Sequence, residues 1–266
     1  MAVLHGPRPD EPPTPVLGPV ERVAVLSDVH ANIPALRAVL SERDVASADL
    51  VVFCGDLTWG PEPEETVSLV GELGSRAVFV RGNADRAVLE LAAGDRPRER
   101  PRDAWMPGRH SPEALDLLSR FHFNVVVDVV GLGPVRFCHG SPRGDTEVIT
   151  PETPEARFAD LMSGHPESTL VSGHTHLQFD RRVGDRRSVN PGSVGLAFHD
   201  GEAGTAMWAL LGPDVSPRRT PFDVADAVLR AWDAGDPSAE VMERMMTTPP
   251  TVAEVVAHAE ERVFSD

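Results

Sequence analysis

Five short blocks of potential metal-ligand side chains occur along the chain: Asp28-Val29-His30, Gly55-Asp56, Gly82-Asn83, His139-Gly140 and Gly173-His174-Thr175-His176. Each follows a run of strand-like composition, so each would be delivered at the end of a strand. Imidazole nitrogens together with carboxylate and amide oxygens are a donor set suited to divalent transition metals. Taken singly, a Gly-Asp or Gly-Asn after a strand is an ordinary turn. Five blocks repeating that context point instead to one shared site, because structural context is what makes a short motif specific.

The elements that must position these residues can be read from periodicity. Residues 20–26 form a buried-strand pattern running into the first block, and residues 34–43 have helical spacing with Pro34 at a tolerated first-turn position. The unit recurs, with strands predicted over 50–54 and 77–81 and helices over 62–73 and 85–93. Such alternation implies a largely parallel sheet, and ligands bind at the carboxyl ends of its strands, where Asp28, Asp56 and Asn83 fall. Residues 94–110 carry five arginines among prolines and glycines, which predicts a solvated inserted loop, with a lid over an anionic substrate as the alternative. A helix opens at Ser111-Pro112-Glu113. Residues 124–130 and 134–138 read as a hairpin delivering His139, and 169–171 as a strand delivering His174. A second hairpin is predicted over 177–183 and 186–189, with a last strand over 206–211.

A first group of strands with helical crossovers and a second dominated by hairpins predict an α/β fold, a four-layer α-β-β-α sandwich of two packed mixed sheets. The expected domain covers residues 20–212. Residues 1–19, with six prolines and no signal-peptide layout, predict a disordered tail, and residues 213–266 a helical C-terminal appendage.

A length of 266 residues suits one sizeable core. No apolar run approaches the ~18 residues of a membrane span, so a soluble protein without membrane contact is expected. The net charge of −16 argues against an extended nucleic-acid surface. Two bound cations would nonetheless reverse the potential inside an acidic pocket and admit phosphate there. Cys54 and Cys138, the only cysteines, each end an apolar run and read as buried free thiols, which implies a cytoplasmic location.

The segments SDVHANIPAL, CGDLTWGPEP, VRGNADR, FCHGSPRGDTE, SGHTHLQFDRR and NPGSVG resemble the calcineurin-like metallophosphoesterase superfamily. Within it they are similar to the bacterial branch called YfcE-like phosphodiesterases. The resemblance spans residues 20–211 and implies two divalent ions. Asp28, His30 and His176 would hold one, Asn83, His139 and His174 the other, and Asp56 would bridge them. Mixed imidazole and oxygen ligation suits manganese best here, with zinc, iron or nickel as alternatives, over magnesium or calcium. The chain has no tyrosine, which excludes the purple acid phosphatase arrangement and its iron-bound tyrosinate.

The implied reaction is phosphodiester hydrolysis by a hydroxide held between metals ~3.5–4 Å apart, with Asp56 and Asn83 acting through the ions. The implied substrate is a small-molecule or nucleotide-like phosphate ester. Phosphomonoester or nucleoside polyphosphate hydrolysis is the alternative enzyme reading. A non-catalytic metal-binding scaffold is the alternative from another class, because the small retromer subunit of eukaryotes resembles the same fold.

One position departs from the wider superfamily, where Gly-Asn-His-Asp is common and this chain has Gly82-Asn83-Ala84-Asp85. Ala84 can donate no proton, and general acid catalysis is typically worth about 10²–10⁴-fold. Asp85 reads as a substitute acid or as a helix cap, the cap being favoured. Arg86 reads as a phosphate clamp in preference to a carboxylate partner. Asn32 reads as a substrate contact or a cap, Ser141 and Arg143 as substrate contacts, and Asp145 and Glu147 as partners of the ligand imidazoles.

Overall fold

The computed structural model describes residues 5–8 and 11–261. Short β-branched runs buried on both faces build the first sheet, in which β2 (Val23–Leu26), β3 (Leu50–Cys54) and β4 (Ala77–Val80) lie parallel. Their crossovers are helical, as parallel neighbours require. β10 (Thr205–Leu211) joins the free edge of β2 antiparallel, and β11 (Val215–Pro221) pairs antiparallel with β10, giving the order β11-β10-β2-β3-β4. The second sheet contains β1 (Val16–Val20), β5 (Val125–Val129), β6 (Gly133–Phe137), β7 (Thr169–Val171), β8 (Gln178–Val183) and β9 (Arg186–Pro191). Its order is β1-β5-β6-β7-β9-β8.

Because side chains alternate along a strand, each sheet buries two different sets. Val23, Val25 and Val52 meet Val127, Val135, Phe137 and Val171 in a core between the sheets. Ala24, Leu26, Val51 and Phe53 point the other way. They are covered by α1 (Ile33–Leu40), α3 (Pro63–Gly71), α4 (Asn83–Ala93) and α6 (Pro112–Ser119) through Leu36, Leu69, Val88 and Leu118. The outer face of the second sheet presents Leu170, Phe179 and Val183 to α7 (Glu155–Leu161) and α10 (Val252–Glu261). The result is the four-layer sandwich of two mixed sheets expected from the strand grouping. No helix among the described residues is long and apolar enough to cross a membrane.

Several boundaries differ from the sequence reading. The tail expected to be disordered through residue 19 is a strand from Val16, paired parallel with β5 at the sheet edge. Pro19 is compatible with that place because an edge strand leaves one side of its backbone unpaired. Upstream, Arg8 donates to the Ser119 carbonyl at 3.0 Å and Glu11 accepts from the Phe123 amide. Residues 1–4 and 9–10 of the expected tail lie outside the described residues. The C-terminal part is likewise not helical from residue 213, since β11 pairs with β10 along its whole length. Helices begin at α8 (Val224–Asp233) and continue with α9 (Ala239–Thr247). The helix expected over 34–43 ends at Leu40 and is followed by the single turn α2 (Arg43–Ala46). Residues 94–110 are not solvated throughout: α5 (Pro101–Trp105) leads into a 3-10 turn whose Met106 is buried in the core.

Candidate metal centre

All five blocks follow β2, β3, β4, β6 and β7 at their carboxyl ends, and the loops they form lock onto one another. The amides of Asp28, His30 and Ala31 donate to the carbonyls of Gly55, Asp56 and Leu57, each at 3.0 Å, while Gly173 donates to the His139 carbonyl at 2.8 Å. These loops force unusual backbone. The non-glycine residues with positive φ among the described ones are Asp28, His30, Ala31, Asp56, His174 and His176, with φ between 49° and 67°. Five of those six are expected metal ligands. Left-handed backbone at a non-glycine residue costs on the order of 1–3 kcal/mol and persists where the surroundings over-determine it. The neighbouring glycines answer to close approach. A Cβ at Gly82 would collide with Asp56 Oδ1, and one at Gly173 would collide with Ser27 Oγ.

The ligand atoms form two groups, Asp28-His30-His176 and Asp56-His139-His174, each with its atoms within 4.8 Å of one another. In the first, His176 Nε2 lies 3.2 Å from Asp28 Oδ1 and 3.2 Å from His30 Nε2. In the second, the His139 and His174 rings are 5.0 Å apart, and Asn83 Oδ1 is 2.9 Å from His139 Nε2. Asp56 stands between them, with Oδ2 3.9 Å from His30 Nε2 and Oδ1 3.4 Å from His139 Nε2.

The hydrogen bonds behind the imidazoles decide which nitrogen faces inward. His30, His139 and His176 each turn Nδ1 to a backbone carbonyl, of Trp59, Cys54 and Leu196, at 3.2, 2.7 and 2.8 Å. A carbonyl only accepts, so Nδ1 carries a proton and Nε2 is the nitrogen turned inward, the arrangement that orients a metal-binding histidine. His30 Nε2 and His176 Nε2 thus face the same space. Asp28 Oδ1, buried beside them, makes no directed hydrogen bond. Two inward imidazole nitrogens and a carboxylate oxygen without a directed hydrogen bond are a donor set that fits a divalent cation.

Burial and the neighbouring charges shift these groups in different directions. Burial and the adjacent His176 push His30 down to about 3. Burial alone would raise the Asp28 carboxyl, but the imidazoles of His176, His139 and His30 hold it well below the carboxylate range. Burial, together with the Asp28 and Asp85 carboxylates, raises Asp56 to about 7. At His139 burial is outweighed by the Asp56 and Asp28 carboxylates, which lift it to about 9.

The residues expected to surround the ligands divide sharply. Asp85 accepts from the amides of Gly82, Asp56 and Leu57 at 2.8, 2.9 and 3.0 Å, so it pins the bridging loop and caps α4. Asn32 also caps, its Oδ1 accepting from the Ala35 amide at 3.2 Å, while its Nδ2 donates to the Gly195 carbonyl. Arg86 lines the cleft in front of the ligands, but Asp145 grips its Nε at 2.8 Å and Nη2 at 3.2 Å, and Glu90 accepts from Nη1. Arg86 thus has the carboxylate partners that were the alternative to a phosphate clamp. Ser141 and Arg143 bind Glu147, and Arg143 also reaches Asp160 at 2.7 Å. Neither lines the cleft, and Asp145 and Glu147 serve arginines, not the ligand imidazoles.

Some contributors were not singled out in the sequence. Trp59 and Leu196 orient His30 and His176 through main-chain carbonyls, which leave no side-chain signature. Ser193 donates to the Asp28 carbonyl at 2.7 Å from within the NPGSVG segment, which marked its neighbourhood but not its role. Cys54 and Cys138 are buried free thiols, both pushed up by burial.

Comparison with known proteins agrees with the geometry. The chain matches the calcineurin-like phosphoesterase superfamily domain over residues 22–211. It is 27% identical over 185 residues to an uncharacterized protein of Methanocaldococcus jannaschii, across 68% of this chain and 69% of the relative. A crystal structure of a metallophosphoesterase from Sphaerobacter thermophilus aligns with TM-score 0.69 at 27% identity, covering 86% of this chain and 100% of that one. A hypothetical protein from Pyrococcus horikoshii shares the fold with TM-score 0.74 at 19% identity, covering 86% and 99%.

Proposed function

We propose that this chain, which belongs to the calcineurin-like phosphoesterase superfamily, is a cytoplasmic dinuclear-metal phosphodiesterase that works best with manganese. The observation that carries the dinuclear reading is the placement of Asp56, whose two oxygens face the two separate ligand groups. Asp28, His30 and His176 would hold one ion, Asn83, His139 and His174 the other, with Asp56 shared. Ions bound there supply positive charge to phosphoryl oxygens and lower the pKa of coordinated water. The protein's own part is orientation: three carbonyls fix the imidazoles and three amides fix Asp85 behind the bridge. The mixed nitrogen and oxygen donor set supports manganese over magnesium.

Ala84 supports the choice of diester substrates with acidic leaving groups. It lines the cleft beside Asn83 and offers the departing oxygen no proton. The unpaired buried cysteines support a reducing compartment. Chelation should abolish hydrolysis of an aryl phosphodiester, and manganese should restore it better than magnesium does. Full turnover by metal-free protein would overturn the reading.

A further inference from the structure

We infer that Arg96 and Arg100 form an anion-binding wall that selects phosphate esters bearing a second phosphate group beside the scissile one. The inference rests on the phosphoesterase reading above and names the substrate class of that same site. Both arginines line the cleft whose other walls include His30, Asp56 and Asn83. The cleft has a volume of about 210 Å³.

Both guanidinium groups are open to the cleft and less engaged than Arg86 beside them. Acidic residues outnumber basic ones 41 to 25, so carboxylate partners are plentiful. Among the described residues, the Arg100 guanidinium has no carboxylate within ion-pair distance, although Asp103 pins its main-chain amide at 2.9 Å. Among the described residues Arg96 has one loose carboxylate partner, Glu90 at 3.6 Å, which already accepts two bonds from Arg86 at 3.1 Å. Arg86 is itself occupied by Asp145, so it is a poor clamp for a substrate.

The supporting segment is anchored. Met106 is buried in the core, and Arg102 is bound to Asp236 and lies over the Trp59 ring. The fold thus fixes the chain on which these two guanidinium groups stand at the mouth of a metal-ligand cluster. Guanidinium matches phosphate oxygens in a bidentate fork, and a phosphate already bound at the ligand cluster would leave an adjoining phosphate within the same cleft. Nucleoside diphosphates, or other esters in which a diphosphate is cleaved or carried, have that chemistry.

The test measures binding to manganese-loaded protein by calorimetry, using methylenediphosphonate as a non-hydrolysable two-phosphorus probe and methylphosphonate as its one-phosphorus counterpart. The parent should prefer methylenediphosphonate. The double variant Arg96→Ala/Arg100→Ala should lose about tenfold or more for that probe, as expected for lost charge-assisted hydrogen bonds. Its affinity for methylphosphonate should change by less than about twofold, and its metal content and thermal unfolding should match the parent. Arg98→Ala, a change in the same segment at a residue that does not line the cleft, should behave as the parent, and Arg96→Lys/Arg100→Lys should retain part of the preference. Absence of the preference in the parent, equal losses for both probes, or an equal loss in Arg98→Ala would overturn the inference. Failure of the parent to cleave any phosphodiester would remove the reaction proposed above, yet this comparison would still report on the arginine wall.

Discussion

Asparagine at position 56 changes one charge and one atom type where the two ligand groups meet. Asp56 Oδ1 accepts from the Ala84 amide at 2.8 Å, and an asparagine oxygen would keep that bond and the side facing His139. The new NH₂ would then face His30 Nε2, where Oδ2 stands at 3.9 Å. It would offer a donor to a lone pair otherwise available to an ion. Two unit charges ~4 Å apart interact by about 4 kcal/mol at an effective dielectric of 20. If one third of that survives as net affinity, each ion loses about tenfold and the pair about a hundredfold. The expected result of Asp56→Asn is thus a roughly hundredfold loss in joint metal affinity, read by competitive chelation, and about 10²–10³-fold in kcat, the range typical for removing one electrostatic stabiliser. A metal-free readout checks the geometry itself. His139 is lifted to about 9 by the Asp56 and Asp28 carboxylates against the effect of burial, so its ring should titrate lower in Asp56→Asn, as followed by NMR. Retention of both metals at near-parental rate, or an unmoved His139 titration, would refute the bridging role.

Two further outcomes are expected. The raised values of His139, about 9, and Asp56, about 7, favour the protonated forms that an ion must displace, so metal affinity should rise with pH through that window. The slope should approach ~tenfold per unit for each proton released; calorimetry in buffers of different ionisation enthalpy counts those protons, and a pH-independent affinity would contradict the assignment. Ala84 lines the cleft, so Ala84→His would place an imidazole of ordinary pKa ~6.5 where a leaving oxygen departs. A plot of log kcat against leaving-group pKa should be steep for the parent and shallower for the variant at equal metal content, and equal slopes would show that another group already supplies the proton.

The ligand blocks were legible because their chemistry imposes local sequence. A carboxylate or imidazole that must leave a strand end in left-handed backbone, packed against a neighbouring loop, brings a glycine with it, as Gly55 and Gly173 do before Asp56 and His174. The alternating core residues of β2 to β7 were legible for the equally simple reason that both their faces are buried. β1 and β11 were not, because Val16–Val20 and Val215–Pro221 are edge strands whose prolines and exposed positions break the period-two signal. α5 was hidden by the Arg-Pro composition around it, although Pro101 opens the helix at a position proline favours. The surrounding polar residues carried a different kind of signal. Ser141, Arg143, Asp145 and Glu147 follow His139 closely in sequence, but their charges are satisfied by arginine-carboxylate pairs that only the tertiary structure selects. Asn32 and Asp85 were readable as caps, since that role needs only the next three residues or the next loop.

The choice between an enzyme and a metal-binding scaffold turns on what the ligands face. Structural metal sites close their coordination with protein donors, whereas catalytic ones keep a position open to solvent or substrate. Here His30, Asp56 and Asn83, drawn from both ligand groups and the bridge, form part of the wall of a cleft. The strained backbone at Asp28, His30, Asp56, His174 and His176 lies in the ligand loops, of which His30 and Asp56 line that cleft. Strain of this kind opposes stability, so its concentration in the ligand loops is better explained by the geometry two ions require than by packing. A scaffold that used the ions only to brace its fold would have no need for an opening beside them, nor for arginines lining that opening. Access to the ligands, more than their number, is therefore what favours hydrolysis.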